Sequence, residues 1–131
     1  MDAPEYGGDG TRATRCAAVT RPLTGFPGHW APMALAFHDG TAFGPNWRGA
    51  FIAFHGSWNR APLPQEGFRV AFQPMRGGQL SGEFQTFATS TDGPTGLRAA
   101  GVAVAPDGSL YIAADRNAKI WRVFRRNPGA P

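Results

Sequence analysis

Residues 33–40 read MALAFHDG and residues 101–108 read GVAVAPDG, so the same pattern occurs twice in the chain. Each stretch is an apolar run that ends in Asp-Gly, a pair that favours a tight turn because both residues tolerate a positive φ. The similarity continues beyond the turn, where FIA at 51–53 matches YIA at 111–113 and FRV at 68–70 matches WRV at 121–123. The order strand, turn, strand, turn, strand is therefore an internal repeat.

Short apolar runs of this kind predict an all-β chain. They alternate with turn-forming residues, and 18 Gly and 12 Pro among 131 residues exclude a helical bundle or coiled coil. The predicted strands are Met33–Phe37, Ala50–His55, Phe68–Gln73, Glu83–Ala88, Gly101–Ala105, Leu110–Ala114 and Ile120–Phe124.

Repeated units of up to four strands are typical of propeller blades, which bury their faces against neighbouring blades. We therefore predict an irregular segment at 1–30, a first blade at 31–90, a second, incomplete blade at 91–126 and a tail at 127–131. Two blades do not close a ring. The chain is then either a piece of a longer propeller or a subunit that associates with copies of itself, and a homotrimer would bring six blades together.

The composition argues against several functional classes. The net charge of +4 comes from basic residues scattered along the chain, and without a basic stripe nucleic-acid binding is not expected. No apolar run approaches the roughly 18 residues of a membrane span. Met1–Glu5 lacks the basic and apolar regions of a signal peptide, and the single cysteine, Cys16, excludes an internal disulfide.

The densest cluster of functional side chains is HGSWNR at 55–60, directly after a predicted strand. His55 is suited to act as a base or a ligand, and Ser57, Asn59 and Arg60 supply hydrogen-bonding groups. The alternative interpretation is a polar turn whose Trp58 packs between two blades.

His29 and Arg98 stand at predicted boundaries between loop and strand. His29 lies either on the rim of a site or in a loop where its hydrogen bonds are satisfied. Arg98 either presents its guanidinium to an anion or pairs with Asp92 or Glu83. His38, beside a turn, is expected to be solvated.

No catalytic motif emerges from spacing alone. There is no Gly-x-Ser-x-Gly elbow, no zinc-ligand spacing and no paired carboxylates. We interpret Asp107 as a turn residue and Asp115 as the end of a strand. The residues alone thus predict neither a reaction nor a metal site.

Several longer pieces of the chain carry a resemblance to a known family. They are PEYGGDG at 4–10, HWAP at 29–32, FIAFHGSWNR at 51–60, and Arg98 together with GVAVAPDG at 101–108. With these pieces, residues from about Pro4 to Val123 resemble the C-terminal part of the PQQ-dependent glucose/sorbosone dehydrogenase family. The L-sorbosone dehydrogenase branch is the most similar.

This resemblance implies a six-bladed β-propeller that binds pyrroloquinoline quinone (PQQ) and calcium and oxidises sugars or sugar aldehydes. Because it covers only about the last third of a catalytic domain in that family, the family's catalytic base and calcium ligands have no counterpart here. Members of the family are often exported.

The cofactor contacts that the resemblance implies fall on His29, Ser57 and Arg98. We expect the neighbouring polar side chains to contribute to the same cofactor-binding site, which then comprises His29, His55, Ser57, Asn59, Arg60 and Arg98. Ser57 replaces a lysine of the glucose dehydrogenases, and Ala99 replaces a proline of the sorbosone branch.

Three functions remain open on this basis. The first is a fragment that resembles a quinone-dependent sugar dehydrogenase and binds a sugar or quinone without being a complete catalyst. The second is an oligomeric module for carbohydrate or another ligand, in which exposed Trp30, Trp47 and Trp58 would stack on sugar rings unless they pack in the core. The third is a metal-dependent lactonase or esterase on a propeller. The expected partners are copies of the chain and a small sugar or anionic ligand.

Overall fold

A computed structural model describes residues 17–91, 93, 95–116 and 118–126. They form eight strands in two antiparallel sheets, which confirms the all-β prediction. The strands are β1 (Pro32–Asp39), β2 (Arg48–Phe54), β3 (Arg69–Arg76), β4 (Gln79–Leu80), β5 (Gln85–Ala88), β6 (Ala99–Val104), β7 (Leu110–Ala114) and β8 (Lys119–Val123). A single 3₁₀ turn among these residues, Pro45–Trp47, connects β1 to β2.

The first sheet has the order β1-β2-β3, and both β4 and β5 pair with β3. The second sheet has the order β6-β7-β8. Every predicted apolar run lies in or overlaps one of these strands. The two-residue strand β4 was not predicted, because it is too short to show an alternating pattern. The division of the chain into blades with boundaries at residues 30, 90 and 126 stays a prediction. Cys16 and the predicted tail at 127–131 lie outside the described residues.

The main hydrophobic core lies between the two sheets, where β1 and β2 pack against β6. Its buried members on the first sheet are Phe51, Ala53, Val70 and Phe72. On the second sheet they are Ala99, Leu110, Ile112 and Ala114, and Leu97 joins them from the preceding loop. Burial of this apolar area is what holds one sheet against the other.

A smaller aromatic cluster covers the outer face of the first sheet. Trp30 and Phe26 pack edge-on against Phe54, and Phe84 contacts both of them. Trp30 is buried and Trp47 packs against the main core, so for these two tryptophans the alternative of core packing is confirmed and stacking on a sugar ring is not. Trp58 is 86% exposed and does not plug the contact between the sheets.

His38 is buried between the sheets, which corrects the expectation that it is solvated. Its Nδ1 lies 2.9 Å from the Gly40 amide, which donates to it, and 3.0 Å from the Trp47 carbonyl, and its Nε2 donates to the Gly108 carbonyl at 3.0 Å. Gly40 and Gly108 belong to the two equivalent Asp-Gly turns. The imidazole therefore joins the turn of one repeat to the turn of the other.

The strand registers correct the alignment of the two repeats. Both sheets have an irregularity near the start of their first strand, between Pro32 and Ala34 in one and between Ala99 and Gly101 in the other. When the two irregularities are aligned with each other, Leu35 corresponds to Val102. The alignment based on the Asp-Gly turns instead pairs Leu35 with Ala103, one residue further along. In the third strands Phe72 corresponds to Arg122, so the match between FRV at 68–70 and WRV at 121–123 is wrong.

Among the described residues, no helix is both long and apolar enough to cross a membrane.

Candidate functional site

Three polar side chains meet at one end of the two packed sheets. His55 follows the last residue of β2, Arg98 precedes the first residue of β6, and Asp115 follows the last residue of β7. The backbone fixes these ends in an equivalent way, because the amide of His55 donates to Ala31 and the amide of Asp115 donates to Arg98. The contact between the sheets then brings the three side chains together.

The imidazole of His55 is the centre of this cluster. Its Nε2 lies 2.7 Å from Asp115 Oδ2, and its Nδ1 lies 3.0 Å from Arg98 Nη2. The Arg98 Nε is 3.3 Å from the imidazole Nε2 and 3.7 Å from Asp115 Oδ1. The guanidinium thus lies along the imidazole edge, with the carboxylate on the opposite side of Nε2.

The partners of the two ring nitrogens bear on where the imidazole hydrogen lies. The carboxylate of Asp115 only accepts hydrogen bonds and a guanidinium only donates them. The shortest contact, at 2.7 Å to Asp115, favours a hydrogen on Nε2 with Nδ1 accepting from Arg98, while the Nε–H of Arg98 also points at Nε2 from 3.3 Å. A second hydrogen on Nδ1 would face the N–H groups of Arg98 and break that contact.

Charge and exposure differ within the cluster. The hydrogen bond from His55 lowers the pKa of Asp115, burial opposes this effect, and weaker Coulombic contributions from His55 and Arg98 add to the lowering. The side chain of His55 is 18% exposed, whereas those of Arg98 and Asp115 are 37% and 51% exposed. Solvent therefore reaches the cluster from the side of Arg98 and Asp115.

Close packing fixes the backbone directly after His55. Gly56 has a φ of 92°, and its amide donates to the Trp30 carbonyl at 3.0 Å. A Cβ at this position would collide with the Phe68 ring. The glycine thus lets the chain turn away from β2 while the imidazole stays at the sheet end.

Ser57 and Arg60, both predicted to bind a cofactor, make their contacts within the loop that follows β2. The Ser57 hydroxyl accepts from the Glu66 amide at 2.7 Å and donates to the Glu66 carbonyl at 3.1 Å. The Arg60 guanidinium lies 2.7 Å from the Glu66 carboxylate. This hydrogen bond, and after it the weaker one from the Trp30 indole, lowers the pKa of Glu66. These bonds close the loop at residues 57–66.

His29 and Asn59 are both exposed, and no described contact brings them to the cluster. Arg98 pairs with His55 and Asp115 and not with Glu83, one of its two predicted partners. Its other predicted partner, Asp92, lies outside the described residues. Of the six predicted site residues, the structure thus brings two, His55 and Arg98, into direct contact.

Sequence reasoning missed Asp115, although the repeat contains a signal for it. The match of residues 51–53 to residues 111–113, continued by two residues, places Asp115 opposite His55. Equivalent strand ends of two packed sheets lie near one another, so the alignment extended in this way would have predicted the pair. The equivalent backbone bonds place Arg98 opposite Ala31, which neither sequence alignment of the repeats does.

Three cavities among the described residues are lined by other side chains. One of about 910 Å³ lies at the opposite end of the first sheet and is lined by Asp39, Arg48, Arg76 and Arg125 among others. The same residues contain no group of three or more His, Cys, Asp or Glu side chains suited to a metal ion. The cluster itself is a partly exposed group of polar and charged side chains at the ends of the strands.

A protein-family model described as TrAA12-like matches residues 5–126 of the chain. The chain therefore belongs to the TrAA12-like family. Searches of curated proteins and of solved structures found no match.

This assignment overturns the resemblance on which the functional expectations rested. TrAA12-like is a different family from the PQQ-dependent glucose/sorbosone dehydrogenases, so the reading of the chain as a fragment of such a dehydrogenase is wrong. Nothing supports the carbohydrate-binding module or the metal-dependent hydrolase either. PQQ and calcium were implied by that resemblance alone, and they stay untested predictions.

Proposed function

We propose that this member of the TrAA12-like family forms two adjacent propeller blades and binds a small anion at the end where the blades meet. The ligand class is a carboxylate or phosphate ion, and the binding groups are Arg98 and His55, with Asp115 holding the imidazole in place. Each sheet serves as one blade. This is supported by the face-to-face packing of the sheets and by the equivalent registers of β1–β2 and β6–β7.

The observation that carries the proposal is the weak pairing of Arg98. Its guanidinium contacts a neutral imidazole nitrogen at 3.0 Å, and the nearest recorded carboxylate oxygen lies 3.7 Å away, too far for a direct hydrogen bond. A guanidinium forms its strongest bonds as a two-pronged donor to a carboxylate or phosphate. An anion that approaches from solvent would therefore be a better partner than the imidazole.

Anion binding at this site is coupled to a proton. When Arg98 turns to the anion, His55 Nδ1 loses its donor and becomes free to take up a hydrogen. The resulting imidazolium donates from Nδ1 to the anion and from Nε2 to Asp115, whose lowered pKa keeps it ionised.

Isothermal titration with malonate and with inorganic phosphate tests this proposal at low salt. We expect binding to the native chain and a loss of about tenfold or more in affinity in Arg98→Gln, the effect of removing a charge-assisted hydrogen bond. Low salt is needed because the site is exposed and counterions screen it.

Arg116→Gln is the matched control. Arg116 lies near the cluster in sequence, but its guanidinium bonds the carbonyl and hydroxyl of Thr95 at 3.0 and 2.6 Å. The variant removes the same charge from a guanidinium that is already bonded to Thr95, so malonate affinity should fall clearly less than in Arg98→Gln. Equal losses in the two variants, or no binding to the native chain, would contradict the proposal.

A further inference from the structure

Each sheet has one face in the main core and one outer face, and the outer face of the first sheet carries a row of large apolar side chains. On β1, Leu35 is 52% exposed and Phe37 is 68% exposed, and Met33 beside them is also exposed. We name Met33, Leu35 and Phe37 the large row. The aromatic cluster of Phe26, Trp30 and Phe84 covers the rest of this face and leaves the large row open. An exposed apolar row of this size is typical of an interaction surface.

The opposite side of β1 shows what such a row packs against within the chain. Side chains alternate across a strand, so Ala34 and Ala36 face the second sheet. There β1 packs on β6, whose Val102 and Val104 lie against the same core as Ala34. The contact within the chain thus sets a row of small residues on one sheet against a row of large residues on the next.

The registers identify the equivalent rows of the two sheets. Leu35 and Phe37 pair with Ile52 and Ala50 of β2, as Val102 and Val104 pair with Ile112 and Leu110 of β7. Leu35 and Phe37 of the large row are therefore the counterparts of Val102 and Val104, which already pack against the first sheet. They differ in having no sheet against them among the described residues.

The second sheet leaves the complementary surface open. Its outer face carries Gly101 and Ala103 on β6, the counterparts of Ala34 and Ala36. Tyr111 and Ala113 lie beside them on β7, as Phe51 and Ala53 lie beside the alanines of the first sheet. We name Gly101 and Ala103 the small row. The two open faces repeat the two halves of the contact that the chain makes internally.

We propose that a second copy of this chain docks its large row on the small row of the first copy. We infer a second copy as the partner because it would repeat the contact that already joins the two sheets within one chain. In both contacts a row of small residues packs against a row of large residues. Arg122 is the one departure. Arg122 is the counterpart of Phe72 on the second sheet. Its guanidinium bonds the Asp107 carboxylate at 2.6 Å, at the margin of the outer face.

Such an interface is heterologous, since each copy uses a different face toward each neighbour. Heterologous contacts form a ring when the rotation between copies closes, and an open chain of copies otherwise. Six sheets from three copies is the closed ring expected from the repeat. The proposal does not depend on anion binding at His55 and Arg98.

Light scattering after size-exclusion chromatography tests the interface. The native chain is expected to have a mass of about three times 14.0 kDa. Phe37→Glu places a charge in the large row, and Ala103→Glu places one in the small row, so each variant should lose assembly. Both positions are exposed, so the variants should keep the native circular dichroism spectrum. Leu63→Glu, at an exposed leucine in a loop outside both rows, should assemble normally.

Mixing the two variants distinguishes this interface from every symmetric alternative. The Phe37→Glu chain keeps its small row and the Ala103→Glu chain keeps its large row, so an equal mixture should form a dimer with one copy of each. A native chain that stays at 14.0 kDa as its concentration rises would overturn the proposal. Assembly that survives in both variants, or a mixture that stays monomeric, would also overturn it.

Discussion

At the residue scale, one hydrogen atom decides how His55 relates to its partners. With the hydrogen on Nε2, the imidazole donates to Asp115 and leaves Nδ1 for Arg98. A protonated imidazole would keep the first contact and lose the second. Without an anion the three side chains bond one another, and with His55 protonated both Arg98 and His55 can donate to an anion. We therefore assign the binding role to the three side chains together and not to Arg98 alone.

Asp107 shows the same chemistry in a purely structural setting. Its carboxylate accepts from the Ser109 hydroxyl and amide at 2.6 and 2.9 Å, and from Arg122 at 2.6 Å. The Ser109 bonds, with Arg122, lower the pKa of Asp107 to about 2. Because the folded-state pKa is depressed from 3.8, this stabilisation is present above pH 3.8 and is lost as the pH falls toward 2.

Asp107→Asn should therefore flatten the dependence of stability on pH. We expect the midpoint of urea unfolding to fall less between pH 4 and pH 2 in this variant than in the native chain, since the titrating group is gone. Glu83→Gln removes an exposed carboxylate and controls for net charge. An unchanged slope in Asp107→Asn would show that this turn does not contribute to the acid dependence.

At the scale of elements, His38 connects the two Asp-Gly turns. It is 3% exposed and bonds backbone groups of Gly40 and Gly108, which lie in different repeats. It also stacks on Phe43 at 4.9 Å between ring centroids. The link is buried, so each lost bond leaves a backbone group without a partner.

His38→Asn should destabilise the fold by about 1–3 kcal/mol, the cost of a buried polar group left unpaired. The measurement is the free energy of unfolding in urea. His29→Asn is the matched control, because His29 is exposed and has a φ of 66°, which asparagine tolerates. Equal stabilities of the two variants would contradict the role of His38 as a link between the sheets.

The strands could be predicted from sequence, but their faces could not. Turn residues and apolar runs identified all the strands except β4. The facing of side chains depends on register, and a shift by one residue moves every side chain to the other face. The irregularities between Pro32 and Ala34 and between Ala99 and Gly101 create such a shift, and the apolar pattern does not show them. The burial of His38 depends on the contact between sheets, which is equally invisible in a local pattern.

At the scale of the whole molecule, the contact between the two sheets creates features that neither sheet has alone. Their contact buries one face of each and brings His55 of the first sheet to Arg98 and Asp115 of the second. Sequence reasoning identified His55 and Arg98 separately. Their meeting could not be predicted from spacing, because it depends on how the ends of β2, β6 and β7 stack. The site is thus a property of the pair of sheets.

The end shared by the two sheets changes the hydrogen bonding of His55 when an anion binds. This is measured by the ¹⁵N resonances of the His55 imidazole nitrogens, followed during titration with malonate at constant pH. We predict a hydrogen on Nε2 alone without malonate and hydrogens on both nitrogens when malonate is bound, with no such change in Arg98→Gln. Imidazole resonances that do not respond to malonate, or a free imidazole with its hydrogen on Nδ1, would contradict the account.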